Sequence, residues 1–176
     1  MVGRVPRTTH REGRQGVDHR RHGNPSTPRC IGRKRGIQEN AIGRSRGGFS
    51  TKIHALVDTK ARPLHVALTP GERHELVAAP ELIDYARGNA LIGDTGYDSN
   101  EFRAELKTRG IKAVISSKPE RKRAIPKDRE LYRLRYLIEV FFHTVKRFRA
   151  IATRYEKTGR NYLALIHIAC IWLWLA

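Results

Sequence analysis

The chain has 176 residues, which is enough for one domain with a hydrophobic core of its own. Its 35 lysines and arginines outnumber 17 acidic residues and give a formal net charge of +18. A surface this cationic favours a polyanionic partner such as nucleic acid, so we expect no small-molecule substrate. Charge alone does not separate an enzyme that acts on DNA from a basic structural or RNA-binding protein.

The cysteines and the apolar segments exclude further classes. Cys30 and Cys170 lie far apart and have no cysteine or histidine neighbours at metal-binding spacing, so neither a disulfide framework nor a zinc site is expected. The first 35 residues contain no apolar segment of the kind found in signal peptides. The apolar run 162–176 is shorter than the roughly 20 residues of a membrane span and contains His167. We therefore expect no membrane partner, and a buried helix at the C-terminal end.

Residues 1–35 differ in composition from the remainder. They contain ten lysines or arginines and only two acids, Glu12 and Asp18. Scattered glycines and prolines and the lack of an apolar period predict a basic arm that is disordered or not native to the fold. The alternatives are an arm that follows phosphate groups and a segment that never belonged to the domain. A folded domain is predicted for residues 36–176.

Regular apolar patterns begin near residue 49 and predict alternating strands and helices. Ser99 is a candidate N-cap for one helix, and Gly110 is its expected stop. A mobile basic loop is expected at 116–130. In chain order the predicted elements are strands 49–58 and 62–69, helix 76–86, strand 90–93, helix 100–109, strand 112–116, and helices 132–146 and 161–176.

Asp94 follows the predicted strand 90–93 within the sequence GDTGYD. A carboxylate at the carboxyl end of a strand, followed closely by Gly96, would lie in the crevice where α/β sheets bind ligands. The alternative is a tight turn in which Asp94 caps the following backbone.

The segment YRLRYLIEVFFHTVK at 132–146 places four polar residues on one stripe of an otherwise apolar helix. Tyr132, Arg135, Glu139 and Lys146 return to nearly the same azimuth at 3.6 residues per turn. One acid flanked by cations suits a metal-binding carboxylate beside phosphate-binding groups. The alternative is an exposed face with a weak ion pair between Arg135 and Glu139.

The spacing of these four residues resembles the C-terminal signature of bacterial insertion-sequence DDE transposases, in particular the insertion-sequence-five group. Four other segments of that group appear in the same order, namely AIGRSRGGFSTKIHALVD at 41–58, LTPGERHE at 68–75, LIGDTGYDS at 91–99 and FRAIATRYEKT at 148–158. The resemblance extends over residues 36–176. It implies an α/β fold, a ribonuclease-H-like mixed sheet flanked by helices, with the first strand missing or unrecognisable.

The resemblance implies cleavage and strand transfer of DNA at insertion-sequence ends by two-metal phosphodiester chemistry. Asp94 would be the second acid of the DDE triad and Glu139 the third, and both would bind Mg²⁺ or Mn²⁺. The implied partners are element-end and target DNA and further copies of the chain, in a homo-oligomer that synapses two ends. The implied location is the bacterial cytoplasm.

Two groups of residues are candidate DNA contacts. The resemblance places Tyr132, Arg135 and Lys146 near the cleaved bond, although Lys146 alone reads equally well as a surface lysine. A second group surrounds a glycine pair that lets the backbone approach a phosphate closely. Its members are Arg44, Arg46 and Lys52, for which a solvated entry to the hairpin is the alternative interpretation.

The family's first acid has no counterpart in this sequence. That acid is an Asp on the first strand, followed by small residues, an apolar residue, Arg, any residue and His. Asp18 lies at a suitable distance but has different neighbours. We therefore expect an N-terminus that is truncated or altered by a frameshift, and no transposition by this chain alone. The alternatives are a non-catalytic DNA-binding remnant and a basic RNA-binding or structural protein.

Overall fold

A computed structural model describes residues 8–14, 40–45 and 48–175. The strands in these ranges are β1 Thr8–Arg14, β2 Gly43–Ser45, β3 Gly48–Asp58, β4 Pro63–Pro70, β5 Ala90–Gly93 and β6 Lys112–Ile115. The α-helices are α1 Ala79–Asp84, α2 Asn100–Thr108, α3 Arg129–Arg133, α4 Tyr136–Val145, α5 Arg149–Ala152 and α6 Gly159–Leu175. Short 3₁₀ turns, Glu75–Ala78 and Thr95–Tyr97, precede α1 and α2.

The sheet is mixed, and its order is β4–β3–β1–β5–β6. Strand β3 is antiparallel to both of its neighbours, whereas β1, β5 and β6 run parallel. The short strand β2 pairs with the first residues of β3. An antiparallel start followed by parallel strands joined through helices confirms the mixed, ribonuclease-H-like α/β architecture that the sequence implies.

The central strand β1 comes from the segment predicted to be a basic arm. Its seven residues pair with β3 from Thr8 opposite Asp58 to Arg14 opposite Lys52, and Thr9 also pairs with Ile92 of β5. Residues 8–14 therefore form a strand within the segment for which a basic arm is predicted. Backbone pairing on both sides defines this strand, and its sequence TTHREGR carries no apolar alternation that would have predicted it. Asp18 and Cys30 lie outside the described residues.

Helices cover both faces of the sheet. On one face α4 and α6 pack on β3 and β4, and α3 packs on β5 and β6. On the opposite face α1 and α2 cover β5 and β6 together with Leu56 and Ala67. Ser99 accepts a hydrogen bond from the backbone N–H of Phe102 at 3.0 Å, and Gly110 has a φ of +70°, so the predicted cap and stop of α2 are confirmed.

The helix predicted for 132–146 is two helices in the structure. Between α3 and α4 the backbone tightens, because Leu134 N–H bonds to Leu131 and Leu137 N–H bonds to Leu134, each three residues back. Leu134 packs against Ala90, Ile92 and Val114, whereas α4 packs against β3. The tightened turn rotates α4 about its axis relative to α3, so that the apolar residues of both helices face the sheet.

The terminal helix α6 buries only one side. Tyr162, Ile166 and Ala169 lie in the core, while Ile168 and Leu175 are exposed. The expectation of a buried terminal helix therefore holds for one face alone. Trp174 fastens the end of α6 to the sheet, since its indole N–H donates to the carbonyl of Pro63 at 2.9 Å. None of the described helices combines the length and apolar character needed to cross a membrane.

Candidate active site

Strand directions bring several candidate residues to one edge of the sheet. Strands β5 and β6 end there, and the antiparallel β3 begins there. Asp94 follows the last residue of β5, so we call this the Asp94 edge. The backbone of Asp94 is extended, with φ −85° and ψ −177°. Asp94 therefore continues the alternation of side-chain direction along β5 and shares a face with Ala90 and Ile92. That alternation places Asp94 on the sheet face covered by α3 and α4.

The Asp94 carboxylate is fixed by the turn that follows it. Its Oδ1 accepts a hydrogen bond from the Gly96 N–H at 3.0 Å. A Cβ on residue 96 would lie 3.2 Å from that oxygen and 2.9 Å from Cγ of Glu75, so any side chain there would displace Glu75. The capping interpretation of Asp94 is therefore correct, and it is compatible with metal binding because a capped carboxylate has a defined orientation.

Glu139 lies in the first turn of α4, on the same sheet face as Asp94. Ile138 and Phe141 anchor this helix in the core, while the Glu139 side chain is 45% exposed. Arg135 Nη2 lies 2.7 Å from Glu139 Oε1, which is the predicted ion pair. A partly exposed pair of this kind is weak, so it leaves the carboxylate able to take another cation.

Asp94 and Glu139 offer the hard oxygen ligands that Mg²⁺ and Mn²⁺ prefer. Among the described residues, no three His, Cys, Asp or Glu side chains form a metal-binding group. Continued by two residues, the register that pairs Thr9 with Ile92 brings Arg11, which is not acidic, level with Asp94. Glu12 is paired with His54, whose position belongs to the opposite face. Asp94 and Glu139 therefore lie on one face of the sheet, and their assignment to the DDE triad stays a prediction.

The stripe predicted from Tyr132 to Lys146 is divided by the break between α3 and α4. Tyr132 packs on the β5–β6 core, and Lys127 Nζ lies 3.6 Å from the centre of its ring. Lys146 is exposed at the C-terminal end of α4, about two helical turns from Glu139. The structure therefore pairs Arg135 with Glu139, places the Tyr132 ring against the β5–β6 core and leaves Lys146 exposed at the C-terminal end of α4.

The glycine-rich turn is only partly described. Arg44 is exposed in β2, which pairs with the start of β3 at the Asp94 edge, whereas Arg46 lies outside the described residues. Lys52 is largely buried: its ammonium donates to the Arg73 carbonyl and lies 3.3 Å from Glu75 Oε1. These contacts connect β3 to the turn Glu75–Ala78, so in this arrangement Lys52 is a structural residue and not a surface phosphate contact.

His54 is buried next to Lys52 and bonds within the core. Its Nε2 lies 2.7 Å from the Thr69 hydroxyl, and its Nδ1 lies 3.2 Å from the Tyr97 hydroxyl. Burial, followed by the charge of Lys52, lowers the pKa of His54 from 6.5 to about 4. The charge of Glu75 acts in the opposite direction and is outweighed. His54 is therefore neutral in the folded chain at physiological pH.

We expect the free energy of unfolding to fall as the pH is lowered from about 7 to about 4. The unfolded chain protonates His54 near 6.5, while the folded chain resists until about 4, so acid favours unfolding in this window. The loss is on the order of 3 kcal/mol at 1.36 kcal/mol per pKa unit. Urea unfolding followed by circular dichroism at pH 7 and pH 4.5 measures it. His54→Gln should lose most of this pH dependence, and an unchanged dependence would contradict the assignment.

Arg154 is a buried residue that sequence reasoning did not single out. Its guanidinium donates to the Asn40 carbonyl at 2.8 Å, to the Ala41 carbonyl at 3.3 Å and to the Thr51 hydroxyl. It also lies 4.9 Å from the centre of the Tyr162 ring. Arg154 therefore fastens the segment that precedes β2 and β3 to the α5–α6 connection. The only sequence signal was its place in the segment FRAIATRYEKT.

Asp98 is the second residue that was missed. Its side chain is inaccessible to solvent and binds Arg103 at 2.8 Å and Arg121 at 2.9 Å. Burial alone would raise the pKa of Asp98, but hydrogen bonds from Arg121, the Lys118 N–H and Arg103 lower it to about 2. The available signal was a second Asp in GDTGYD, just before the N-cap of α2.

Comparisons with known proteins identify the family of the chain. Residues 16–174 match the family described as "Transposase DDE domain". The chain is 36% identical over 130 residues to a putative transposase for insertion sequence element IS6501 of Brucella ovis, covering 72% of this chain and 99% of the relative. It is 26% identical over 166 residues to a putative transposase for element IS402 of Burkholderia cepacia, covering 88% and 71%.

A third relative, the transposase for element IS1106 of Neisseria meningitidis serogroup B, is 29% identical over 124 residues. That match covers 67% of this chain and 41% of the relative. The family match begins at residue 16 and so includes part of the segment 1–35, which carries no recognisable family motif. With most of its length matched and with the mixed sheet in place, the chain belongs to the family of bacterial insertion-sequence transposases that carry a DDE domain.

Proposed function

We propose that this chain cleaves and joins DNA at insertion-sequence ends, with Asp94 and Glu139 as metal-binding carboxylates. The observation that supports this is their common sheet face, with Asp94 at the end of β5 and Glu139 on the helix that crosses the sheet. The divalent cations bound there, Mg²⁺ or Mn²⁺, would stabilise charge on the attacking and leaving oxygens of the phosphodiester.

The other residues of the site have binding roles in this proposal. Arg135 lies beside Glu139, and its planar guanidinium offers two parallel hydrogen bonds to a phosphate. Arg44 and Lys146 are exposed and add point contacts to the DNA backbone. Synapsis of two element ends requires further copies of the chain, and the DNA substrate places this activity in the bacterial cytoplasm.

One observation favours a second candidate, DNA binding without cleavage. The β1 position level with Asp94 is occupied by Arg11, so the described register sets no acid opposite Asp94. Two carboxylates hold two metal ions less well than three, whereas the net charge of +18 supports DNA binding in either case. The two candidates therefore differ in cleavage and agree in binding.

A nicking experiment separates the two candidates. The full chain is incubated with a duplex carrying the element's own terminal repeat, in Mg²⁺, Mn²⁺ or EDTA, and the strands are resolved on a denaturing gel. We expect a nick at the repeat boundary in either metal and none in EDTA. Salt-sensitive binding with no nick in either metal would contradict the proposed cleavage and select the second candidate.

A further inference from the structure

The basic loop between β6 and α3 is held in place at the Asp94 edge. Residue Ile115 of β6 pairs with Gly93 of β5, so the loop 116–127 leaves the sheet beside Asp94. The sequence predicted a mobile segment here. Instead, Ile125 N–H donates to the Ser117 hydroxyl at 2.9 Å, and Lys127 donates to the Ser116 hydroxyl at 2.7 Å. These two bonds close the base of the loop.

Asp98 holds the first half of the loop. Its carboxylate accepts two hydrogen bonds from Arg121, each at 2.9 Å, and a third from the Lys118 N–H at 2.9 Å. Arg103 of α2 binds the same carboxylate and also donates to the Ile115 carbonyl at 3.0 Å. The buried carboxylate thus links α2, the end of β6 and the loop through charged hydrogen bonds.

Positive charge remains at the top of the loop after these bonds are formed. The loop contains five lysines or arginines and one glutamate. Arg121 and Lys127 are used internally, but Lys122 and Arg123 are exposed and, within the described part of the chain, have no hydrogen-bond or ion-pair partner. Adjacent exposed cations held on a fixed support favour a polyanion, because among the described residues Glu120, the one acid of the loop, forms no ion pair with either of them.

We propose that the loop 116–127 is a phosphate-binding surface for the DNA strand that crosses the Asp94 edge, and that Asp98 is its positioning residue. The proposal rests on the proposed function only in taking DNA to lie along this edge. Lys122 and Arg123 contact backbone phosphates, which fixes the DNA without reading its sequence. Asp98 touches no DNA and acts by holding Arg121 and the Lys118 backbone.

The test is the salt dependence of DNA binding, measured by filter binding with the full chain and the terminal-repeat duplex. Each phosphate contact contributes about 0.9 to the slope of log K against log salt. The double variant Lys122→Gln/Arg123→Gln should lower the slope by about 1.8 and the affinity on the order of tens of fold at about 0.1 M salt. Lys60→Gln/Lys107→Gln removes two exposed charges at the opposite edge and should change both much less.

The variant Asp98→Asn separates an effect of net charge from a positioning role of Asp98, because the two predict opposite changes in DNA affinity. Loss of a negative charge should tighten DNA binding if only net charge matters. A positioning role predicts weaker binding and a smaller salt slope, because the loop is released. A lower folded fraction would weaken binding without changing the slope. If Asp98→Asn does not fold, the Lys122→Gln/Arg123→Gln variant (the apex pair) and the Lys60→Gln/Lys107→Gln variant (the control pair) still test whether the loop binds phosphate.

Equal effects of the two charge pairs, or no effect of the apex pair, would overturn the loop assignment. Its failure is distinguishable from failure of the proposed function. If the wild-type chain nicks DNA and the apex pair retains the wild-type salt slope, only the loop assignment is contradicted. If the wild-type chain never nicks DNA and the apex pair alone lowers the salt slope, only the proposed cleavage is contradicted.

Discussion

Replacing Glu139 with glutamine is expected to lower metal-dependent nicking of element-end DNA on the order of a thousandfold or more, equivalent to about 4 kcal/mol of transition-state stabilisation. Glutamine keeps the shape of the side chain but removes the charge that binds a divalent cation. Because Glu139 is 45% exposed and its pair with Arg135 is weak, the fold should be preserved. Strand-resolving gels measure nicking, and circular dichroism checks the fold.

Glu130→Gln is the matched control for this experiment. Glu130 is an exposed glutamate on α3 that lies 3.0 Å from Arg133, so it also loses one surface ion pair. Its nicking rate should stay within about twofold of the wild type, since surface substitutions of this kind have small effects. Asp94→Asn should reproduce the loss seen with Glu139→Gln. Equal nicking by the Glu139 and Glu130 variants would exclude Glu139 as a metal ligand.

Arg154→Met is expected to lower the free energy of unfolding by about 3 kcal/mol or more. Methionine fills similar volume, but the carbonyls of Asn40 and Ala41 lose a buried, charged donor. The Ala41 carbonyl keeps the Thr51 hydroxyl as a donor. The Asn40 carbonyl left without this donor and the lost charged hydrogen bonds both favour the unfolded chain. Urea unfolding at pH 7, followed by circular dichroism, measures the change in midpoint and slope.

The control for Arg154 is Arg160→Met, which removes an exposed arginine from the first turn of α6. We expect its stability to lie within about 0.5 kcal/mol of the wild type. Arg154→Met should also loosen the segment around β2, so its amide protons should exchange faster there than at β5. A variant as stable as the Arg160 control would mean that the Arg154 contacts contribute little.

The elements with a clear period could be predicted from the sequence. Alternation identified β3 and β4, and the spacing of apolar residues with Ser99 and Gly110 identified α2. The edge position of Asp94 followed from the short strand before it. These predictions succeeded because each signal is local, and a period or a cap depends only on residues a few positions apart.

The features that could not be predicted depend on partners distant in the chain. Strand β1 is held by pairing with β3 and β5, and no local pattern in its residues indicates this. The break between α3 and α4 results from two apolar groups that must reach different strands. Lys52 reads as a surface cation until Glu75, 23 residues later, is seen to bind it. Asp98 likewise needs Arg121, which lies 23 residues further along the chain.

Both tryptophans of the chain, Trp172 and Trp174, lie in the last turns of α6. Trp174 bonds to the Pro63 carbonyl and lies 4.2 Å below the Arg62 guanidinium, so its indole senses the contact between α6 and the far end of β4. Intrinsic fluorescence therefore reports the docking of this one helix. An emission shift that precedes the loss of circular dichroism would reveal α6 leaving the sheet before the rest unfolds. A site probe near Asp94 would need a tryptophan introduced there.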